Sequence, residues 1–410
     1  MKNLILIVLI FAVFTQCTKK TEISQWRGPN RDGVYSETKL LKEWPENGPE
    51  LLWKFDELGN GYSSAAVLSD KVITIATIDS INYVIAFDHK GSVLYKKELG
   101  KEWMINFPGA RSTPLIYDDK GYFLNGLGKL FCFNADDGEI IWQKDLFSDF
   151  DGRNNKYGIT ENLLIDGNKL FCTPGGIEDN IIALNRHTGE LVWKCDGNGE
   201  ISDYASPILI EIAEEKYMIM ITDSSIISLD IADGNIAWEY DLRTGNPLPI
   251  YKEGYLFIMD FITAENRGAL MLKIADDGKS VSKEWFSEYL NVGGSLGGEV
   301  VMDNKIFGSN SKEKSIYCID WSTGAPIDSL KTNSFISTLI AAEGLLYSYS
   351  MNGTFSLLQH DESGFKTKGS FRVEGGNEGL HCSHPVIKDG RLYIRHDNSL
   401  FVYNIAKEVS

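Results

Sequence analysis

A histidine- and cysteine-rich stretch near the C-terminus is the strongest candidate for metal chemistry in this sequence. The tetrapeptide His-Cys-Ser-His supplies His381, Cys382 and His384, and His396 follows on the next apolar run. Imidazole and thiolate groups are preferred ligands of transition metals. Alternate residues of a strand face opposite ways, so His381 and His384, three apart, do not share a face of a regular strand. We therefore predict a hydrogen-bonded polar lining here, with a metal site as the alternative.

Other chemical motifs in the chain are incomplete. The acidic stretch 147–158 contains Asp149 and Asp151 but lacks the spacing and closing glutamate of a calcium loop, which predicts a solvated loop. The glycines of residues 293–298 follow no strand-to-helix junction and form no phosphate cradle. No Ser-His-Asp or Cys-His pair can be proposed from the order of residues. The sequence thus predicts no catalytic residue.

The elements that position these groups come from a repeat. Seven turn glycines, spaced 40 to 51 residues apart, each follow an apolar run and precede another. They are Gly91, Gly138, Gly189, Gly234, Gly278, Gly324 and Gly364. Each unit has four short runs that are too short and too rich in β-branched residues for helices, which predicts one four-stranded propeller blade.

The number of blades follows from counting the third run of each unit. Eight such runs begin near Tyr83, Lys129, Asn180, Ser225, Ala269, Ser315, Thr354 and Leu400. The fold class predicted is all-β: an eight-bladed propeller of four-stranded antiparallel blades. The aromatic residue that ends most units, such as Trp193, is expected to fill the wedge between neighbouring blades.

The two ends of the chain are expected to close this ring. The last unit supplies three runs and then the chain ends, whereas residues 50–58 form a spare outer-strand run with nothing before it. An open ring would leave two unpaired sheet edges. We therefore predict that the N-terminal strand completes the last blade, with Trp53 in the sheet that contains Tyr403.

The residues that precede the first strand of each blade face one mouth of the central channel and are candidates for ligand binding. They are Tyr62, Arg111, Asp203, Tyr204, Arg243 and His381. Guanidinium groups bind carboxylates with two parallel hydrogen bonds. Arg111 and Arg243 could therefore grip a carboxylate-bearing ligand, with Tyr204 or His381 stacking or donating.

The N-terminus has the pattern of a secretory signal. One lysine precedes an apolar run from Leu4 to Phe14, which is too short to span a bilayer permanently. Cys17 follows at the cleavage position of a lipoprotein-type signal. We predict a signal peptide over 1–16, lipidation of Cys17, a tether and lead-in over 17–49 with Thr18–Ser24 as the tether, and the propeller over 50–410. An ordinary cleaved signal is the alternative.

Cysteine usage and charge limit the remaining function classes. Five cysteines besides Cys17 form no C-x-x-C pair, and we expect no disulfide framework, with a Cys172–Cys195 bridge as the alternative. The net charge of −17 argues against binding to nucleic acid or to an anionic membrane surface, because each needs a basic patch. Membrane contact is expected only through the lipid anchor, and the protein is expected to be a monomer.

The repeat resembles that of the pyrroloquinoline-quinone-like (PQQ-like) propeller family, whose core is Ala-x-Asp-x-x-Thr-Gly-x-x-x-Trp. Residues 183–193, ALNRHTGELVW, match it apart from Asn185. Residues 228–238 and 134–142 match less fully, and residues 318–328 keep the aspartate, threonine and glycine but lose the tryptophan. The opening WRGPNRDGV, residues 26–34, is similar to that of many secreted bacterial members.

The resemblance implies two alternatives for function. Quinoprotein dehydrogenases bind PQQ and Ca²⁺ over the central channel, but this chain is shorter and lacks a vicinal Cys-Cys pair, a C-x-x-C-H haem motif and a matching calcium-ligand set. BamB-type outer-membrane assembly lipoproteins have no cofactor and act as scaffolds. We therefore expect a non-catalytic, lipid-anchored scaffold of the cell envelope that binds a protein or polysaccharide partner and no cofactor. The alternative is a PQQ- or metal-dependent oxidoreductase that uses the channel mouth.

Overall fold

The structure, a computed structural model, describes residues 22–154, 156–200, 206–222, 224–244, 248–262, 267–288, 298–377 and 379–407. Almost all regular elements in these residues are strands. The helical turns are α1 (Leu146–Asp149) and a 3₁₀ turn at Gly197–Gly199. The chain begins with two short strands, β1 (Ile23–Ser24) and β2 (Val34–Tyr35), and then β3 (Glu50–Phe55).

The later strands form consecutive antiparallel sheets, which are the blades. Blade 1 contains β4 (Ala66–Val67), β5 (Val72–Ile78), β6 (Ile81–Phe87) and β7 (Val93–Lys101), and blade 2 contains β8 (Leu115–Tyr117), β9 (Lys120–Leu124), β10 (Lys129–Asn134) and β11 (Ile140–Asp145). Blade 3 contains β12 (Leu164–Asp166), β13 (Lys169–Cys172), β14 (Ile181–Asn185) and β15 (Leu191–Cys195), and blade 4 contains β16 (Ile208–Ile212), β17 (Glu215–Ile221), β18 (Ser225–Asp230) and β19 (Ile236–Asp241). Blade 5 contains β20 (Arg243–Thr244), β21 (Ile250–Lys252), β22 (Tyr255–Ile262), β23 (Arg267–Ile274) and β24 (Val281–Ser287), and blade 6 contains β25 (Val300–Met302), β26 (Lys305–Asn310), β27 (Ser315–Asp320) and β28 (Pro326–Lys331). Blade 7 contains β29 (Ser337–Ala342), β30 (Leu345–Ser350), β31 (Thr354–Asp361) and β32 (Gly364–Arg372), and blade 8 contains β33 (Val386–Lys388), β34 (Arg391–His396) and β35 (Ser399–Asn404).

The predicted eight-bladed propeller is confirmed. β3 pairs antiparallel with β35 and supplies the outer strand of blade 8, with Leu51 opposite Tyr403 and Trp53 opposite Val402. The two ends of the chain therefore share one sheet. This pairing removes the open edges that an incomplete last blade would leave.

The wedge between blades is built from an aromatic residue on one blade and a turn glycine on the next. Five such contacts are Trp53 on Gly91, Tyr95 on Gly138, Trp142 on Gly189, Trp193 on Gly234 and Trp285 on Gly324. A Cβ atom at Gly234 would lie 2.5 Å from the Trp193 ring, and the Trp193 indole donates to the Ile231 carbonyl at 3.0 Å. In blade 5 the turn glycine Gly278 packs on Tyr217 in place of Trp238.

A β-bulge precedes the wedge position in the outer strand of every blade, a feature that the sequence did not indicate. This position is aromatic in six blades and is Asp328 in blade 6 and Gly369 in blade 7. In blade 2, for example, Cys132 lies opposite Trp142 and Phe133 opposite Ile140, which leaves Ile141 as the extra residue. The same register shift occurs in the other seven outer strands. A bulge increases the local twist and re-aims the following side chain, here the wedge residue.

The ring has two distinct faces because the four strands of a blade alternate in direction. Each inner strand ends, and each outer strand begins, at the face that we call the turn face, which carries turns such as 69–70 and 186–190. The opposite face, the loop face, carries the loops that join blades, such as 102–111 and 332–336. Cys132, Cys172 and Cys318 are buried, and the five cysteines among the described residues are free thiols.

Candidate functional site: the channel and its two mouths

The first described residues cross the central channel at the turn face. β1 pairs with the inner strand of blade 2, with Ile23 opposite Tyr117, and β2 runs parallel to the inner strand of blade 7, with Val34 opposite Ala341. We call residues 23–35 the channel plug. The tether was expected to reach Ser24, but Glu22 to Ser24 are bound to blades 1 and 2 and belong to the fold.

Arg27 extends from the plug into the channel and is fully buried, with 0% of its surface exposed. Its guanidinium donates to the carbonyl oxygens of Glu299 in blade 6 and Asp32, the latter at 3.0 Å, and lies 3.3 Å from His384 Nδ1 in blade 8. Burial lowers the pKa of Arg27, and the carboxylates of Glu299 and Asp32 oppose this shift. Gly33 has φ +75, and a side chain there would meet the Arg27 guanidinium.

Arg31 is the second buried cation of the plug and reaches blade 3. Its guanidinium donates to the carbonyl oxygens of Leu163 at 2.7 Å and Asn162 at 2.8 Å. Burial lowers the pKa of Arg31 to about 10, against the opposing charge of Glu161. Burial in turn raises the pKa of Glu161 to about 7, although its carboxylate accepts a 2.6 Å bond from the Thr173 hydroxyl. The ring of Trp26 lies beside both guanidinium groups, 5.8 and 5.9 Å from them.

At the opposite mouth the structure brings together three of the predicted residues, Tyr62, Arg111 and Cys382. Burial raises the pKa of Tyr62 to about 12, and the Cys382 thiol contributes to this shift while the Arg111 charge opposes it. The Arg111 guanidinium donates to the Tyr157 carbonyl and lies near the buried Glu102 carboxylate. Arg111 is therefore engaged by the protein itself.

Arg395 and Asp397 lie beside this group and were not predicted. Arg395 is buried and donates to the Ser63 hydroxyl at 2.8 Å, to the Asn60 carbonyl at 3.2 Å and to the Ile75 carbonyl. The Asp397 carboxylate accepts from the Gly61 backbone at 3.1 Å. Both contacts join blade 8 to blade 1. An arginine inside the apolar run of residues 391–396 was the sequence feature that could have indicated it.

His381 and His396 form a stacked pair, with ring centroids 3.4 Å apart and an angle of 18° between the planes. His381 Nδ1 lies 2.6 Å from the Tyr349 hydroxyl, which we assign as the donor because burial raises the pKa of Tyr349 well above its usual value. Burial, and then the neighbouring His396 and Arg372, lower the pKa of His381 to about 4. The neutral ring is thus the stable form of His381.

The three histidines predicted as metal ligands each have hydrogen-bonding contacts to other parts of the protein. His396 has a carbonyl oxygen near each ring nitrogen, that of Gly375 at 2.7 Å and that of Gly379 at 2.9 Å. His384 contacts Arg27 on the channel side, away from the stacked pair. Burial raises the pKa of the Cys382 thiol to about 12. Within the described residues no group of three His, Cys, Asp or Glu side chains could hold a metal ion.

The other sequence-predicted site residues are only partly described. Asp203 and Tyr204 lie outside the described residues, and Arg243 is described only as backbone of β20, which pairs with β22. In the acidic stretch, Asp145 caps α1 and Asp149 belongs to it. No helix in the described part of the chain has the length and hydrophobicity needed to cross a bilayer.

The surface of the ring has a cavity on its turn face and exposed apolar side chains on its loop face. A cavity of about 440 Å³ lies on the turn face between the plug and blades 1 and 8, lined among others by Glu22, Tyr35, Val67, Ile387 and Lys388. On the loop face several large apolar side chains are exposed, namely Met104, Ile105, Phe107, Ile177, Phe335 and Leu380. Ile105 is the most exposed of them, at 64%.

A protein-family model described as "Outer membrane protein assembly factor BamB" matches residues 80–325. The chain belongs to this PQQ-like, BamB-related propeller family. Among curated proteins it is similar to the quinoprotein alcohol dehydrogenase PedH of Pseudomonas putida, with 25% identity over 172 residues, which are 38% of this chain and 28% of that protein. It is also similar to BamB of Shewanella oneidensis, with 24% identity over 174 residues, 40% of this chain and 42% of that one.

Solved structures share the fold at low sequence identity. BamB from Moraxella catarrhalis superposes with a TM-score of 0.57 at 16% identity, covering 85% of this chain and 95% of that one. A quinohaemoprotein alcohol dehydrogenase from Pseudomonas putida gives a TM-score of 0.59 at 11% identity, covering 93% and 79%. The chain thus spans less than half the length of the curated relatives that it matches, and the solved structures establish the fold alone.

Proposed function

We propose that this protein is a non-catalytic scaffold of the cell envelope, anchored through a lipid on Cys17, that presents its loop face to a protein partner. The observation that carries the proposal is the plugged channel. Arg27 and Arg31 occupy its turn-face end with side chains that donate to the protein's own carbonyl groups. A channel built in this way is a packed core and leaves the outer surfaces for function.

The chemistry of the channel does not fit PQQ and Ca²⁺. Displacing the plug to admit a quinone would leave the carboxylates of Glu161 and Glu299 buried without their cations, which is costly. At the loop-face mouth Arg111 is bonded to Tyr157, and the predicted ligands His381 and His384 point to different partners. We therefore assign no catalytic step to PQQ or to Ca²⁺ in this protein.

The loop face supports protein binding because its apolar side chains are clustered on connecting loops. Met104, Ile105 and Phe107 lie on one loop, and the Phe107 ring is 6.1 Å from that of Tyr157. Exposed aromatic and aliphatic groups of this kind form the centres of protein interfaces. The BamB-related family and the BamB relatives favour a protein partner over a polysaccharide.

Crosslinking in intact envelopes tests this assignment. The wild-type protein and the Ile105→Ser/Phe107→Ser variant are crosslinked and isolated, and the captured proteins are compared. Ile327→Ser is the control because Ile327 is also an exposed apolar residue, at 46%, but lies at the turn face. We expect one protein that is captured by wild type and control and lost, by about tenfold or more, from the loop variant. Equal capture by all three proteins, or capture of polysaccharide alone, would contradict the proposal.

Addition of PQQ with Ca²⁺ to the purified protein tests the oxidoreductase alternative. A ligand at 100 times its dissociation constant stabilises a protein by roughly 2.7 kcal/mol. We expect no change in melting temperature or quinone absorbance. A concentration-dependent rise in both would show that the plug does not exclude the cofactor.

A further inference from the structure

Four consecutive blades expose pairs of aliphatic residues where their outer strands begin. The pairs are Leu51 and Leu52 in blade 8, Val93 and Leu94 in blade 1, Ile140 and Ile141 in blade 2, and Leu191 and Val192 in blade 3. Their exposed fractions lie between 39% and 53%. We call these eight residues the aliphatic arc.

The packing of the propeller does not require aliphatic residues at these positions. The second residue of each pair is the extra residue of the β-bulge, and the same bulge is made with Glu284 in blade 5 and Lys368 in blade 7. In blade 4 the equivalent Ile236 and Ala237 are half-buried. In blade 6 the extra residue Ile327 is also exposed, at 46%, but it follows Pro326 and forms no aliphatic pair. Among the described residues, exposed aliphatic pairs are therefore confined to one side of the ring.

The chain enters the fold at the same face and in the middle of the same sector. The Glu22 carboxylate accepts hydrogen bonds from the Ser69 backbone at 2.8 Å and the Ser69 hydroxyl at 2.9 Å in blade 1. The backbone carbonyl oxygen of Glu22 accepts a hydrogen bond from the Asp118 backbone N–H at 3.0 Å in blade 2. Ser69 and Asp118 both lie in turns of the turn face. Glu22 is thus fixed between the two central blades of the arc.

Covalent geometry limits how far Glu22 can lie from a lipid on Cys17. The two residues are five positions apart, and a fully extended chain spans at most about 3.6 Å per residue, or roughly 18 Å in total. Acyl chains on Cys17 lie in the bilayer. A lipid anchor at this position therefore holds the turn face beside the membrane surface.

We propose that the propeller lies with the aliphatic arc on the phospholipid surface and its loop face directed away from it. This orientation rests on the proposed lipid anchor. It places the exposed loops of blades 1, 2 and 7 where a partner can reach them, and it gives the exposed aliphatic pairs an apolar environment.

The contact fits zwitterionic lipid and does not depend on attraction to anionic headgroups. The lysines that follow the pairs are largely balanced by carboxylates: Lys54 lies 2.8 Å from Asp56, Lys194 lies 2.7 Å from Asp179, and Lys97 pairs with Glu139. Aliphatic side chains partition into the interface by the hydrophobic effect, which needs no net charge. The overall charge of −17 is therefore compatible with this contact.

Spin labels on the full-length protein in phosphatidylcholine vesicles test the orientation. Labels are attached at Leu94→Cys and Ile141→Cys in the arc, at Ile327→Cys on the turn face of blade 6, and at Phe335→Cys on the loop face. Labelling of the wild-type protein sets the background from the native cysteines, and the circular dichroism of each variant confirms folding. Collision rates with oxygen and with a water-soluble nickel complex report lipid contact, and the mass of the N-terminal peptide reports acylation.

We expect an acylated N-terminal peptide, a high oxygen-to-nickel collision ratio at positions 94 and 141, and a low ratio at positions 327 and 335. Addition of phosphatidylglycerol should not raise these ratios. An acylated protein whose arc labels remain in water would overturn the orientation and leave the anchor intact. An unmodified N-terminal peptide would instead overturn the anchor, and the orientation with it.

Discussion

The guanidinium of Arg395 in blade 8 donates a 2.8 Å hydrogen bond to the hydroxyl of Ser63 at the start of blade 1. The same group donates to the carbonyl oxygens of Asn60 and Ile75, so one side chain joins the last blade to the first. The pairing of β3 with β35 is contained within blade 8. The Arg395 contacts therefore close the ring in a second way, between blades.

Replacement of Arg395 tests this second closure. Arg395→Met leaves the Ser63 hydroxyl and the carbonyl groups of Asn60, Ile75 and Asp397 without their donor, so we expect the free energy of unfolding to fall by about 3 kcal/mol. Arg395→Lys keeps the charge but cannot reach all the acceptors, and its loss should be smaller. Urea denaturation measures both. A fall of less than about 0.5 kcal/mol in the free energy of unfolding of Arg395→Met would show that ring closure depends on β3 and not on Arg395.

Removal of residues 50–58 tests closure by the N-terminal strand. The deletion removes Trp53 from its contact with Gly91 and leaves β35 without its outer neighbour. We expect the whole ring to lose stability by about 3 kcal/mol or more, since the half-buried Trp53 and the pairing of β3 with β35 are lost together. Differential scanning calorimetry should show one transition at lower temperature. Leu52→Ser, at the exposed bulge position, is the control and should stay near wild type.

The buried pair of Arg27 and Glu299 predicts a strong double-mutant coupling. Arg27→Met removes the donor to the Glu299 and Asp32 carbonyl groups and the positive charge near the Glu299 carboxylate, and it should lower the free energy of unfolding by about 3 kcal/mol. Arg27→Met/Glu299→Gln removes both charges and should be less destabilised than the sum of the single variants. Denaturation of the four proteins measures the coupling. Strict additivity would show that the two charges do not interact across the channel.

His381 predicts a loss of stability in acid. Its pKa is lowered to about 4 in the folded protein, against 6.5 for an ordinary histidine, so the unfolded chain binds more protons between these values. The contribution of His381 is fully present above pH 6.5 and is lost as the pH falls towards 4. His381→Gln should flatten this part of the stability profile more than His187→Gln, because the pKa of His187, on an exposed turn, is lowered in the same direction. An unchanged slope in His381→Gln would contradict the assignment.

The fold could be predicted from the sequence because the patterns that specify it are local and recur in successive units. The turn glycines and wedge aromatics recur in most units, and the spare strand at residues 50–58 matched the missing strand of blade 8. The site was less accessible because its contacts are distant in sequence. The plug residues Arg27 and Arg31 lie in a polar, glycine-containing stretch, and their partners Glu299 and Leu163 are more than a hundred residues away.

The histidine cluster shows the limit of strand periodicity. Alternation predicted that His381 and His384 do not share a face of a regular strand, but both lie before β33, outside any strand, where one contacts His396 and the other Arg27. It could not show that His396 is engaged by the carbonyl groups of a neighbouring loop. Such contacts depend on the course of residues 375–379, for which the sequence has no repeated pattern.

The plug also has a consequence for the size of the ring. Residues 25–33 have a fixed contour length, and their two ends are hydrogen-bonded to blades 2 and 7. These residues therefore limit the distance between blades 2 and 7 across the channel. Insertion or loss of one blade between these anchor points would change the distance that nine residues must bridge, so a chain that gained or lost a repeat unit there would have to alter its opening segment as well.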